Sequence, residues 1–114
     1  MTPRDTPVAV VCGEFHRAVE LIGKRWTGAI LSAMLDGADR ACDIRGAVEG
    51  LSDRLLTERL RELEDEDIVV RRVIDGRPPV VSYELTEKGR SLAPVIASIK
   101  TWGETWAPVD AKKH

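Results

Sequence analysis

The stretch Ser52-Asp53-Arg54-Leu55-Leu56-Thr57-Glu58-Arg59-Leu60-Arg61-Glu62-Leu63-Glu64-Asp65-Glu66 reads as a capped amphipathic helix. Ser52 suits the N-cap, because its hydroxyl can accept a hydrogen bond from a free amide in the first turn. Leu56, Leu60 and Leu63 fall on one stripe, with Leu55 beside it, and that stripe is the packing face. Arg54, Thr57, Glu58 and Arg61 gather on the opposite face. Near the N-terminus of such a helix, arginine can pair twice with guanine O6 and N7, and threonine can bond a base or touch a thymine methyl. Arg54 and Thr57 are the first candidates for base readout. Arg61 suits a base or a phosphate, and Arg59 stands on the flank, available to DNA or to a partner within the protein. Taken alone, the stretch is better read as a surface helix with a solvated charged face.

Its neighbours give the helix a context. Upstream, Phe15, Ala18, Val19, Leu21 and Ile22 keep helical spacing from Glu14 until Gly23, and Trp26, Ile30, Ala33 and Met34 mark a second helix that ends at Asp36-Gly37. Ala41 to Val48 is a helix of two turns at most, closed by Glu49-Gly50. Downstream, Ile68-Val69-Val70 with Val73-Ile74, and Val80 to Leu85, read as two strands joined through Asp75-Gly76 and Pro78-Pro79. Thr86 caps a last helix bearing Leu92, Val95, Ile96, Ile99, Trp102 and Trp106, in which Pro94 is expected to introduce a kink. Two short helices joined by a tight turn and followed by a hairpin make the winged helix-turn-helix order, in which the second helix of the pair reads DNA. The fold class expected is mainly α with a small β-hairpin wing. Residues 1–11 are expected as a flexible arm, 12–107 as one domain, and 108–114 as a disordered tail.

Charge argues at first against nucleic acid. The 114 residues sum to -2, whereas DNA-binding domains are often strongly basic. A phosphate, however, responds to charge within about 8 Å at physiological salt. The acids Glu62, Glu64, Asp65, Glu66 and Asp67 collect at the far end of the reading helix and just beyond it. Arg71, Arg72 and Arg77 lie on the hairpin, where they suit the DNA backbone. The candidate DNA contacts are therefore Ser52, Arg54, Thr57, Arg59 and Arg61 on the helix, with Arg72 and Arg77 on the wing. A content of 43% hydrophobic and 32% charged residues fits a folded soluble chain. With no signal-peptide pattern and no apolar run of about 18 residues, a cytoplasmic location and no membrane partner are expected.

Leu21-Ile22-Gly23-Lys24-Arg25-Trp26-Thr27, Leu51 to Leu63, Tyr83-Glu84-Leu85-Thr86-Glu87-Lys88-Gly89 and Trp102-Gly103, together with Cys12, resemble the HxlR-type regulators, a winged-helix family of bacteria and archaea. The resemblance covers nearly the whole chain. It implies a homodimer joined through its N- and C-terminal helices and bound to a pseudo-palindromic operator in double-stranded DNA, which makes Phe15, Trp102 and Trp106 interface candidates. The chain departs from the family pattern at Gly13, where proline usually follows the cysteine, at Ala41, where a bulky aromatic is usual, and at Val80, where a basic residue often stands. With Val80 at that place, wing contact falls to Arg77.

In some members the cysteine matching Cys12 senses quinones, aldehydes or hypochlorite. A small-molecule or oxidant effector is therefore implied for a regulatory Cys12, whose place ahead of a helix favours a reactive thiolate. The alternative is a small packing residue. Cys42 reads as passive. Cys12 and His16 share helical spacing, but two ligands do not make a zinc site, and no metal or other cofactor is expected. Nothing supplies a Gly-rich phosphate cradle, a catalytic triad or a carboxylate pair, so no enzyme activity is expected. The competing function is a winged-helix protein-interaction module that does not bind DNA.

Overall fold

The computed structural model describes residues 7–109. The expected arm's residues 1–6 and the tail's residues 110–114 lie outside the described residues. The elements run α1 (Gly13–Gly23), α2 (Thr27–Leu35), α3 (Ala41–Ala47), α4 (Asp53–Asp65), β1 (Val69–Ile74), β2 (Val80–Leu85), α5 (Glu87–Arg90) and α6 (Ala93–Trp106).

Helix α2, Thr-Gly-Ala-Ile-Leu-Ser-Ala-Met-Leu, carries no charge and lies at the centre, with Ile30 and Leu31 fully buried. Ile44 of α3 and Leu56, Leu60 and Leu63 of α4 close around it, each 2% exposed or less. Burying side chains of this size stabilises the fold by roughly 1.5–3 kcal/mol apiece. Between α3 and α4 the chain turns at Gly50, whose φ of 87° lies in the left-handed region open to glycine, and Leu51 anchors the turn in the core at 5% exposure. Ser52 then caps α4, its side chain accepting a hydrogen bond from the Leu55 amide at 3.1 Å. The short α3, too short to persist alone, is anchored by the fully buried Ile44, and an exposed Arg45 Nη1 to Asp53 Oδ1 ion pair of 2.8 Å joins it to α4.

The two strands pair antiparallel, with Val69 opposite Leu85 and Ile74 opposite Val80. The first strand runs unbroken through Arg71 and Arg72, because the ladder to β2 holds the backbone extended whichever side chains it carries. The base of this hairpin is stitched to the end of α4. Thr86 Oγ1 donates to the Asp67 carbonyl at 2.6 Å and accepts from the Gly89 amide at 3.0 Å, and Lys88 Nζ donates to the Glu66 carbonyl at 2.7 Å.

One expectation is corrected here. Thr86 caps only the short α5, and Pro94 does not kink a long helix but occupies the first turn of a new one. A proline there loses no needed hydrogen bond, whereas inside a continuous helix it would clash with the carbonyl four residues back.

The terminal helices are built differently from the centre. None of the residues of α1 is buried, and α6 buries only Ile96. Phe15 and Val19 on α1, and Val95, Ile99, Trp102 and Trp106 on α6, are between 42% and 71% exposed. An apolar groove of about 720 Å³ lies among α1, α2 and α6, lined by Phe15, Val19, Ile22, Val95, Ile96 and Ile99 among others.

Candidate nucleic-acid interface

The leucine stripe of α4 is consumed by the core, so geometry forces its other face outward. Arg54 has 87% of its side chain exposed, and its Nε lies 3.4 Å from Glu58 Oε1 one turn on. Thr57 donates its hydroxyl to the Asp53 carbonyl at 2.9 Å, which leaves the oxygen lone pairs and the methyl for a partner. Arg61 is exposed on the same face. Beyond it an open groove separates α4 from the hairpin, lined by Thr57, Arg61, Glu64, Asp65, Arg71 and Tyr83.

Other expected contacts are placed differently. Ser52 is engaged as the cap of α4. Arg59 turns inward: its side chain is 12% exposed, and its Nε donates to the Arg25 carbonyl at 2.9 Å. Of the two possibilities open to Arg59, the structure takes the internal one. Arg72 is held by Glu84, Nε to Oε2 at 2.6 Å. Alternation along β1 puts Arg71, not Arg72, on the side that faces α4 with its register partner Tyr83. Arg77 is exposed in the connection at the hairpin tip. Tyr83 and the Arg45–Asp53 ion pair were not foreseen. The periodicity of a single strand does not say what it packs beside, and a pair between separate helices leaves no mark in local spacing.

The acids of α4 are partly accounted for within the protein. Glu62 Oε2 receives Lys24 Nζ at 2.6 Å, and the Glu66 carboxylate receives Arg17 at 3.1 Å. Both cations come from α1 or its end, so this acidic side of α4 faces α1 rather than the outward face. Such surface pairs contribute little stability, about 0–1 kcal/mol each, but they dispose of charge that would repel a polyanion.

Cys12 is exposed and stands at the N-cap of α1. Cys42 is exposed on α3, with its Sγ 3.8 Å from Asp43 Oδ1. Among the described residues no three His, Cys, Asp or Glu side chains are grouped to hold a metal ion, and no helix is long and apolar enough to cross a membrane.

A helix pair turned at Gly50, an outward polar face on its second member, and a hairpin set beside that face define a winged helix-turn-helix DNA-binding regulator. The HxlR-like helix-turn-helix family matches residues 21–111, and the chain belongs to that family. Among its relatives, the HTH-type transcriptional regulator YvaP of Bacillus subtilis is 42% identical over 84% of this chain and 89% of its own length. YodB of the same organism is 38% identical over 82% of this chain and 84% of its own. The reduced form of YodB superposes with a TM-score of 0.75, covering 89% of this chain and all of YodB. The oxidised form of the redox regulator HypR superposes at 0.78 with 38% identity, covering 84% of this chain and 99% of HypR.

Proposed function

We propose that the protein binds a pseudo-palindromic operator as a homodimer, with α4 of each protomer in a major groove. Arg54 and Thr57 read base edges from the first two turns of the helix, and Arg61, Arg71 and Arg77 hold the backbone on either side of the groove between α4 and the wing. The observation that carries this is the outward face of α4: a capped, rigid helix whose exposed arginine and threonine stand beside an open groove with a basic strand on its far side. Dimerisation is supported by the apolar faces of α1 and α6. Phe15 at 59%, Trp102 at 63% and Trp106 at 71% exposure are large apolar side chains left in water on these two helices, as at a surface that a partner covers.

An effector acting through Cys12 is part of the same proposal. YodB has been solved reduced, after diamide treatment and with quinone bound, and HypR both reduced and oxidised. In this chain Cys12 is accessible at the start of α1, three residues before Phe15, which places an adduct on its sulfur beside the helix assigned to the dimer. A regulator that works on the chromosome in this way acts in the cytoplasm.

Footprinting of the DNA upstream of its own gene tests the proposal. Two protected major-groove segments about 34 Å apart, one helical turn, are expected for a dimer. A single protected segment, or none, would contradict it.

A further inference from the structure

Two arginines, two positions apart on α4, have opposite fates, and the one turned inward points to a further role. Arg59 donates its Nε to the Arg25 carbonyl at 2.9 Å, and its Nη1 lies 3.4 Å from both carboxylate oxygens of Glu62. Glu62 is held from the other side by Lys24 Nζ at 2.6 Å. Lys24 and Arg25 belong to the short link between α1 and α2, and Trp26 completes it with a φ of 79°, in a region that bulky side chains rarely adopt. The Arg25 guanidinium stacks 4.8 Å above the Trp26 ring. That ring reaches the turn before α4, since a Cβ placed on Gly50 would lie 3.4 Å from its edge.

One three-residue link thus grips the reading helix in the middle and touches the turn that launches it. The leucine stripe of α4 resists both lifting and large rolls, since either would draw Leu56, Leu60 and Leu63 from a close-packed core, but it fixes the last few degrees of rotation less sharply than a directed bond does. The bonds of Arg59 and Glu62 are directional, and they lie on the flank, where they oppose a small roll.

We propose that Arg59 is a positioning residue: by bonding α4 to the Arg25 carbonyl it sets the rotation at which Arg54, Thr57 and Arg61 meet the DNA, without touching DNA itself. This rests on the major-groove assignment made above. A positioning role affects discrimination between sequences more than attraction to DNA in general, since base contacts need correct geometry while phosphate contacts tolerate error.

The test compares two duplexes of equal length, the promoter region of the protein's own gene and a scrambled sequence, across a series of salt concentrations. Arg59→Met keeps the length of the side chain and removes its donors, Arg59→Lys keeps charge and donors on a single nitrogen without the planar fork, and Glu62→Gln removes the carboxylate. Thermal melts establish that each variant is folded at the assay temperature. Arg59→Met and Glu62→Gln are expected to lower the promoter-to-scrambled affinity ratio tenfold or more, with the scrambled affinity and the salt slope unchanged, and Arg59→Lys to recover part of the ratio. If Arg59→Met fails to fold, Glu62→Gln and Arg59→Lys decide alone. An unchanged ratio in folded variants, whatever their melting temperature, reduces Arg59 to a stabilising residue and overturns the proposal. So does a salt slope shallower by about 0.9 for each arginine removed, which marks a phosphate contact. A wild-type protein that does not prefer its promoter overturns instead the major-groove assignment, and shows this before any variant is made.

Discussion

Arg54→Ala separates recognition from stability, because the structure assigns this side chain almost nothing to do within the protein. With 87% of the side chain exposed and a single 3.4 Å approach to Glu58, it contributes an i,i+4 pair of about 0.3–0.5 kcal/mol. Alanine is as good a helix former or better, by a few tenths of a kcal/mol. The two terms nearly cancel, so the melting temperature should move by about 2–4 °C at most. On DNA the expectation is different. A bidentate pair with guanine carries about 1–3 kcal/mol of discrimination, roughly 5- to 150-fold per half-site, and a symmetric dimer loses it twice.

Fluorescence anisotropy with the promoter duplex and a scrambled duplex measures both affinities. The substitution also leaves the Glu58 carboxylate with only Arg59 Nη1, at 3.9 Å, for a cation, but any added repulsion falls on the two duplexes alike. Their ratio therefore isolates the base contact, and Arg54→Ala in a Glu58→Gln background should show the same ratio. Equal weakening of both duplexes, with a salt slope shallower by about 0.9 per protomer, would refute base reading and make Arg54 a phosphate ligand.

Other perturbations probe the remaining parts. In Gly89→Ala the new methyl would run into the Ile68 carbonyl oxygen and press on Leu85 Cδ2 at 3.1 Å; overpacking of this kind costs roughly 1–3 kcal/mol, so a fall of at least several degrees is expected in a thermal melt, and an unchanged melt would deny the close stitch between α5 and the base of the wing. Trp102→Ser with Trp106→Ser should convert the protein from dimer to monomer by light scattering at micromolar concentration while far-UV circular dichroism is retained; a persistent dimer would move the interface off α6. Cys12→Ser should bind promoter DNA like the wild type but lose its response to diamide or a quinone, and an identical response in both proteins would discard Cys12 as the sensor.

Local pattern carried much of the fold. The Ser52 cap, the leucine stripe, the Gly50 turn and both hairpin strands all rest on contacts within a few residues or on a simple period, and each lies where that period places it. What escaped depends on distant partners. Arg59, on the flank of the helical wheel, is open to DNA or to an internal partner until the Arg25 carbonyl, 34 positions away, takes it. Arg71 and Arg72 sit on opposite faces of one strand, and only the packing of the hairpin beside α4 selects between them. Pro94 was visible, but whether it kinks a helix or opens one turns on where the preceding helix ends, which the short turn capped by Thr86 settles.

The salt dependence of promoter binding bears most directly on the outward face of α4 and the wing as a DNA surface. With Arg61, Arg71 and Arg77 on phosphates in both protomers, about six counterions are released, giving a slope of log affinity against log salt near -5 and roughly a thousandfold loss between 50 and 200 mM. Binding that is absent, or that scarcely changes over that range, would contradict the account and favour a winged-helix module whose partner is protein.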